Sequence, residues 1–229
     1  DRHESVTREL GADNFEFVYG VNKASTSMEE LIERGIYDEQ RAIKLDRRGK
    51  PMTIGAICCS IGHRMAYERF LKTDGRRCLI LEDDVRMGEY SDDHVSRVVR
   101  DSPPDADLIY WGYSLGGRRP PGGVLKQAFY HVIHSLGILK YDHTMIRNLY
   151  DQPYNEHFDI AGKHLLSHAF TISRHGAEQL IKWNTPIALN ADTNMLYAVT
   201  TNDVRGYAAR EQIIGQRSID PSDAMITRQ

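Results

Sequence analysis

The chain has 229 residues, 41% of them hydrophobic and 27% charged, with 29 Lys+Arg against 32 Asp+Glu for a formal charge of -3. That length suits one domain, since a single core stops growing at roughly 250 residues, and the composition excludes wholesale disorder and collagen-like repeats. The charge balance supplies no global positive field to gather nucleic acid or anionic lipid, no stretch approaches the roughly 20 apolar residues of a membrane span, and Cys58, Cys59 and Cys78 are too few for a disulfide framework.

A soluble protein of a reducing compartment is the expectation, cytoplasmic, with room for peripheral contact with a membrane. The local basic clusters Arg47-Arg48-Gly-Lys50 and Arg118-Arg119 read as solvated loops.

Residues 15–19 (FEFVY) alternate and meet Gly20, which predicts a short strand. Ser27-x-x-Glu30 is a capping-box pattern that opens a helix to about Arg34. The charged stretch 38–51 reads as an exposed connection. From Thr53, the positions Ile54, Ile57, Cys58, Ile61 and Met65 recur at helical spacing, predicting an amphipathic helix to about Leu71. Residues 77–81 (RCLIL) form a nearly continuous apolar run, the pattern of a strand buried on both faces of a mainly parallel sheet.

A helix stopped by Ser102-Pro-Pro104 then precedes a strand over 107–111, ended by Gly112. Residues 112–127, rich in Gly, Pro and Arg, predict an irregular, mobile loop at the active site. Strands are expected at 128–133 and 165–172. Ser173 should cap a helix over 174–183, and a helix over 192–198 precedes a last strand at 204–209. Alternating strands and helices argue an α/β sandwich.

Glu82, Asp83 and Asp84 follow the 77–81 strand directly. Three adjacent carboxylates repel, so water, basic partners or a cation must absorb their charge. In extended backbone Glu82 and Asp84 point the same way, and a hard cation such as Mg²⁺ or Mn²⁺ shares itself between one or two carboxylates and substrate phosphates. A solvated acidic turn is the plain alternative. The phosphate-cradling G-x-x-x-x-G-K-[ST] and the dinucleotide G-x-G-x-x-G are absent, and an aspartyl-phosphate enzyme would need Asp where Glu82 stands. Glycosyl or nucleotidyl transfer from an activated diphosphate remains.

Leu81-Glu-Asp-Asp-Val85 resembles the acidic motif of glycosyltransferase family 25, the lipopolysaccharide and procollagen galactosyltransferase group. Further segments agree in order. Gly55 to His63, followed by Tyr67-Glu68, resembles the family's G-x-I-G-C-x-x-S-H helix, and Asp107-Leu-Ile-Tyr-Trp-Gly112 its D-x-I-Y-L-G strand. His168-Ala-Phe-Thr-Ile-Ser-Arg-His-Gly-Ala177 is similar to its H-A-Y-x-I-S-x-x-G-A segment, and the stretch 186–192 runs from Pro186 to Asp192 as a corresponding family segment does. The family's first strand, ending Asn-Leu-x-Arg-Arg, has no counterpart beyond Asp1-Arg2.

The resemblance implies a single GT-A-like domain over 1–229, with a mostly parallel central sheet flanked by helices. It also implies transfer of a hexose, most often galactose, from a UDP-sugar with inversion, and dependence on Mn²⁺ or Mg²⁺. The acceptor would be a hydroxyl of a glycan, glycolipid or hydroxylated protein. Asp84 and then Glu82 are the expected metal ligands, with Asp83 facing away or meeting the ribose, and His63 a donor contact. Asp192 is the expected general base, Glu211 and Asp203 the alternatives; an N-cap role is the plain reading of Asp192.

His164 and His168, about 13 Å apart along a strand, do not chelate, and His131 and His134 lack a third ligand nearby in sequence. Trp111 and Tyr113 are candidates for stacking on a base or sugar. Two other functions compete: a catalytically silent module of the same fold, and a metal-dependent phosphotransfer or nucleotidyltransfer enzyme using the same acids.

Overall fold

A computed structural model of the protein describes residues 2–11, 14–46 and 48–217. Nine α-helices and eight strands are described, in the order α1 (Arg2–Leu10), α2 (Met28–Glu33), α3 (Glu39–Leu45), α4 (Ile54–Leu71), β1 (Arg77–Leu81), β2 (Val85–Met87), α5 (Asp92–Arg100), β3 (Leu108–Leu115), α6 (Gly123–Ser135), α7 (His143–Arg147), β4 (Gln152–Pro153), β5 (Phe158–Ile160), β6 (Leu165–Ser173), α8 (Arg174–Trp183), α9 (Ala191–Thr200), β7 (Gly206–Ala209) and β8 (Ile214–Gln216). Of the sequence features read above, Asp1 and Arg47 lie outside the described residues. Arg2 opens a helix, whereas the family pattern had placed it in the tail of a strand.

Six strands form the central sheet in the order β1-β6-β3-β7-β5-β4, and β2 and β8 pair separately. The expected α/β architecture is present, but the sheet is not mostly parallel: only β3 and β7 run in parallel, and the other four pairings are antiparallel. Long β6 lies antiparallel between β1 and β3, which therefore point the same way and end at one edge.

One sheet face is covered by α4, α8 and α9, through Tyr67, Phe70, Leu180, Met195 and Val199 against Leu108, Tyr110, Phe170 and Ile172. The other carries α5 and the β2–β8 pair, through Val98, Val85 and Ile214 against Ile109, Trp111 and Ala169.

Local chemistry explains most boundaries. Ser27, Thr53, Ser91, Ser173 and Asn190 each accept a backbone N–H at a helix start. In α4 the expected stripe is buried at Ile57, Cys58 and Ile61, but Met65 is exposed and Tyr67 and Phe70 continue the inward face. Ser60 Oγ donates to the Leu189 carbonyl, 3.0 Å away, fastening α4 to the segment that leads into α9.

Five further expectations change. Residues 15–19 join no ladder, and 39–45 is a helix capped by Asp38 within a stretch read as a connection. β1 is an edge strand with Leu79 exposed, so its apolar run reflects one covered edge and face, not burial on both sides. Residues 128–133 belong to α6, and the irregular segment shrinks to 116–122 because β3 continues to Leu115 and α6 starts at Gly123.

Gly112 does not end β3; it sits in an irregularity of the β3–β6 register, opposite Ala169. A Cβ there would overlap the His168 ring and the Ile214 carbonyl oxygen. Gly112→Ala should therefore cost about 1–3 kcal/mol or more of stability by overpacking, read as a lower midpoint in urea.

Candidate active site

The acidic run singled out above lies at the shared edge where β1 and β3 end, the place where open α/β sheets generally bind ligands. Glu82 follows β1 directly and its N–H donates to the His168 carbonyl, 2.9 Å away. Asp84 precedes β2, and its carbonyl accepts the Arg217 N–H at 2.8 Å. Between the two carboxylates lies one carboxamide: Gln216 Nε2 donates to Glu82 Oε2 at 3.0 Å and to Asp84 Oδ1 and Oδ2 at 3.1 and 3.2 Å. Glu82 and Asp84 thus converge, half-buried, while Asp83 points outward and is exposed. The extended backbone assumed for this stretch is instead a turn at Asp83 and Asp84. Gln216, on β8 and far away in sequence, left no signal that could have found it.

Asp192 lies in the first turn of α9 but is not the cap. Asn190 is, its Oδ1 accepting the Thr193 N–H at 2.8 Å. The Asp192 carboxylate instead crosses to β6, where Oδ1 accepts the Ser167 N–H at 3.0 Å and the Leu166 N–H also bonds it. Leu166 has φ +56, a left-handed conformation that costs a non-glycine residue about 1–2 kcal/mol, so the carboxylate helps hold a strained position at the start of β6. Burial still wins over these two N–H groups and the nearby His168, and raises the Asp192 carboxyl above its ordinary 3.8.

His63, Cys59 and Tyr67 project from α4 one turn apart. The His63 ring stacks on Phe170, centroids 5.9 Å apart and 7° from parallel, with Nδ1 3.4 Å from the Tyr67 hydroxyl. Burial pushes its pKa down to about 4, so at neutral pH it offers hydrogen bonds to a ligand but no positive charge. The Cys59 thiol is pushed up to about 11 by burial and by the charges of Glu82 and Asp192; one side chain therefore senses both carboxylates. At pH 7 Cys59, exposed at the surface, should alkylate with iodoacetamide more slowly than a free thiol of ordinary pKa, measured by mass spectrometry.

Several buried polar atoms around Asp192 lack a protein partner among the described residues: Tyr110 Oη, Ser167 Oγ, and Nδ1 of His164 and His168. His168 Nε2 meets the Ile214 carbonyl at 3.0 Å and so carries the proton, leaving Nδ1 as an acceptor. His164 Nε2 meets Asp151 Oδ1 at 2.9 Å. Such orphaned groups cost free energy unless water or a ligand completes them. Two cavities adjoin this edge. One, of about 820 Å³, is lined by Arg86, Tyr113, His168, Gln212 and Gln216; the other, of about 900 Å³, by Asn190, Thr193, Lys163, Tyr130 and Tyr197. Asp192 stands between the lining of the second and His168 of the first.

The remaining sequence expectations sort cleanly. Asp203 lies beyond the far end of α9, accepting from Trp183 Nε1 and Thr201 Oγ1, and Glu211 pairs with His94 at 2.8 Å. Trp111 is a core residue whose Nε1 donates to Thr171 Oγ1, whereas Tyr113 does line a cavity. His131 and His134 sit on α6, not a strand, and His143 of α7 joins them with its Nδ1 2.8 Å from that of His131. No group of three His, Cys, Asp or Glu among the described residues is arranged to hold a metal.

Comparison with known proteins decides the lineage. The family model described as glycosyltransferase family 25 (LPS biosynthesis protein) matches residues 1–195. The chain belongs to glycosyltransferase family 25. A protein of Aedes aegypti described as a glycosyltransferase 25 family member is 35% identical over 65 residues, a match spanning 28% of this chain and 11% of that relative. In this family 25 chain the segments around His63, Glu82–Asp84, Gly112, His168 and Asp192 meet at one sheet edge, while Gln216 lies past the matched span. Gly176 in the same pattern sits where a Cβ would come 2.8 Å from the Asp107 carbonyl oxygen.

Proposed function

We propose that this chain transfers a hexose, galactose first among the choices, from a UDP-sugar to a hydroxyl of a glycan, glycolipid or hydroxylated side chain, with inversion. The observation that carries the reading is the convergence of Glu82 and Asp84 on one carboxamide, at the same sheet edge as the desolvated carboxyl of Asp192. The GT-A-like arrangement of the family fits a sheet whose β1 ends in the acidic turn.

The donor set suits a hard cation. Glu82 and Asp84 offer carboxylate oxygens across a gap now spanned by the Gln216 amide, and Mg²⁺ or Mn²⁺ commonly takes only one or two protein carboxylates, the substrate diphosphate supplying the rest. That also accounts for the lack of a three-residue cage. When bound, such an ion neutralises the charge that develops on the leaving diphosphate.

The chain's own residues supply the remainder. Asp192 accepts the proton of the acceptor hydroxyl at its carboxylate, and its raised pKa makes it a stronger base than an ordinary carboxylate. Its bonds to the Leu166 and Ser167 N–H groups fix its direction. Neutral His63 and the unpartnered polar atoms of β3 and β6 orient hydroxyl-bearing ligands or ordered water.

The test is nucleotide release. UDP should appear from UDP-galactose in the presence of Mn²⁺, and UDP with Mn²⁺ together should raise the melting temperature more than either alone. Stabilisation without sugar-dependent UDP release would make the chain a silent donor-binding module; no stabilisation by UDP at all would overturn the reading.

A further inference from the structure

Helix α6 carries its apolar side chains where they contribute nothing to the core. Val124, Leu125, Ala128, Phe129, Val132 and Leu136 share one arc of the helix at 100° per residue, and all six are exposed. Leu125 keeps 77% of its surface in water, Leu136 68%, and Ile138, just past the helix end, 71%. The opposite arc is the polar one. There Gln127 donates to the Ile146 and Arg147 carbonyls, and Tyr130, His131 and His134 face the body of the protein. Of the whole helix only Gly123 is buried. Single exposed apolar residues need no explanation, but a contiguous row marks an interaction surface.

Along the chain, the charge flanking this row has one sign. Residues 108–141 contain no Asp or Glu, in a chain with 32 of them, yet include Arg118, Arg119, Lys126 and Lys140, all exposed. The flanking acids are engaged elsewhere: Asp107 accepts from Ser173 Oγ and the Arg205 N–H, and Asp142 caps α7 through the Met145 N–H. Lys140 itself is tied to the end of α3, its Nζ donating to the Ile43 and Asp46 carbonyls, while the Asp46 carboxylate takes the N–H groups of Arg48 and Lys50.

We infer that α6 docks the protein on an anionic lipid surface, its apolar row entering the interface and the cations Arg118, Arg119 and Lys126 meeting headgroup phosphates. An amphipathic helix with Leu, Phe and Val on one face and Lys or Arg beside it binds in this way, and no described helix is long and apolar enough to cross the bilayer. A second copy of the chain is a poor occupant, because a two-fold contact would set these cations against their own equivalents. The same helix lines the larger cavity through Lys126, Tyr130 and Ile133 on its other side, so docking sets α6 between that cavity and the lipid.

Vesicle flotation tests this without any turnover. The protein should float with phosphatidylcholine vesicles containing about one-third phosphatidylglycerol, bind phosphatidylcholine alone at least roughly tenfold more weakly, and lose affinity as salt rises. Leu125→Glu with Phe129→Glu, both exposed and so without cost to the core, should abolish flotation at an unchanged melting temperature; Arg118→Glu with Lys126→Glu should weaken it roughly tenfold or more on the anionic vesicles. Absence of binding to anionic vesicles overturns the inference. So does equal binding to both vesicle types, or a concentration-dependent dimer that Leu125→Glu dissolves, which would make the face a contact between copies.

Discussion

Asp192→Asn is expected to lower the rate of sugar transfer by about 10²–10⁴-fold, the usual worth of a positioned general base, while leaving donor binding intact and raising thermal stability at neutral pH. The two halves of this result belong together. Asparagine keeps an oxygen to accept the Ser167 and Leu166 N–H groups, but it removes a charge whose burial is unfavourable.

The sign follows from linkage. A carboxyl with a raised folded pKa holds its proton in the folded state at pH values where the unfolded chain has released it, so wild-type stability falls as pH climbs from the ordinary 3.8 through the raised value. The variant lacks that decline. A cap or purely structural aspartate would behave in the opposite way, losing stability with little change in rate. The acid limb of the wild-type pH–rate profile should likewise break above 3.8, where Asp192 ionises. Unchanged transfer by Asp192→Asn removes it as the base.

Much of the edge that forms this site is written locally. The capping serines, the α4 stripe and the acid run after β1 each depend on neighbours within one turn or two strand positions, and each appears where the pattern implies. What failed depended on distant residues. The apolar run of β1 resembles a central strand, but β6 covers only one of its edges. The sheet is mixed because β6 returns between β1 and β3, a choice of partner that no local spacing encodes.

Residues 128–133 looked like a strand because a short run with five apolar or aromatic positions out of six satisfies either period. The wider row from Val124 to Leu136 is helical, and its outward direction ran against the assumption that apolar faces point inward. Gln216 and the unpartnered atoms of Tyr110, Ser167 and His168 became visible only once β8 and β6 were brought against the acidic turn.

Asp84→Asn should separate a cation site from a solvated acidic turn. Glu82 and Asp84 both accept from Gln216 Nε2 and sit close enough to repel; neutralising one relieves that repulsion, so the ligand-free variant should melt at or above the wild-type temperature. If the pair holds an ion against a diphosphate, the same change should erase the joint stabilisation by UDP and Mn²⁺, which is about 2.7 kcal/mol at a ligand concentration 100 times Kd. Transfer should fall by roughly 10² or more, since electrostatic stabilisation of a leaving diphosphate is worth several kcal/mol and each 1.4 kcal/mol or so is tenfold in rate. Asp83→Asn is the matched control: exposed, it should keep the joint stabilisation and stay within a few-fold of wild-type activity. An Asp84→Asn protein that still binds UDP in a Mn²⁺-dependent way places the ion on other groups, and one with full activity removes Asp84 from the reaction.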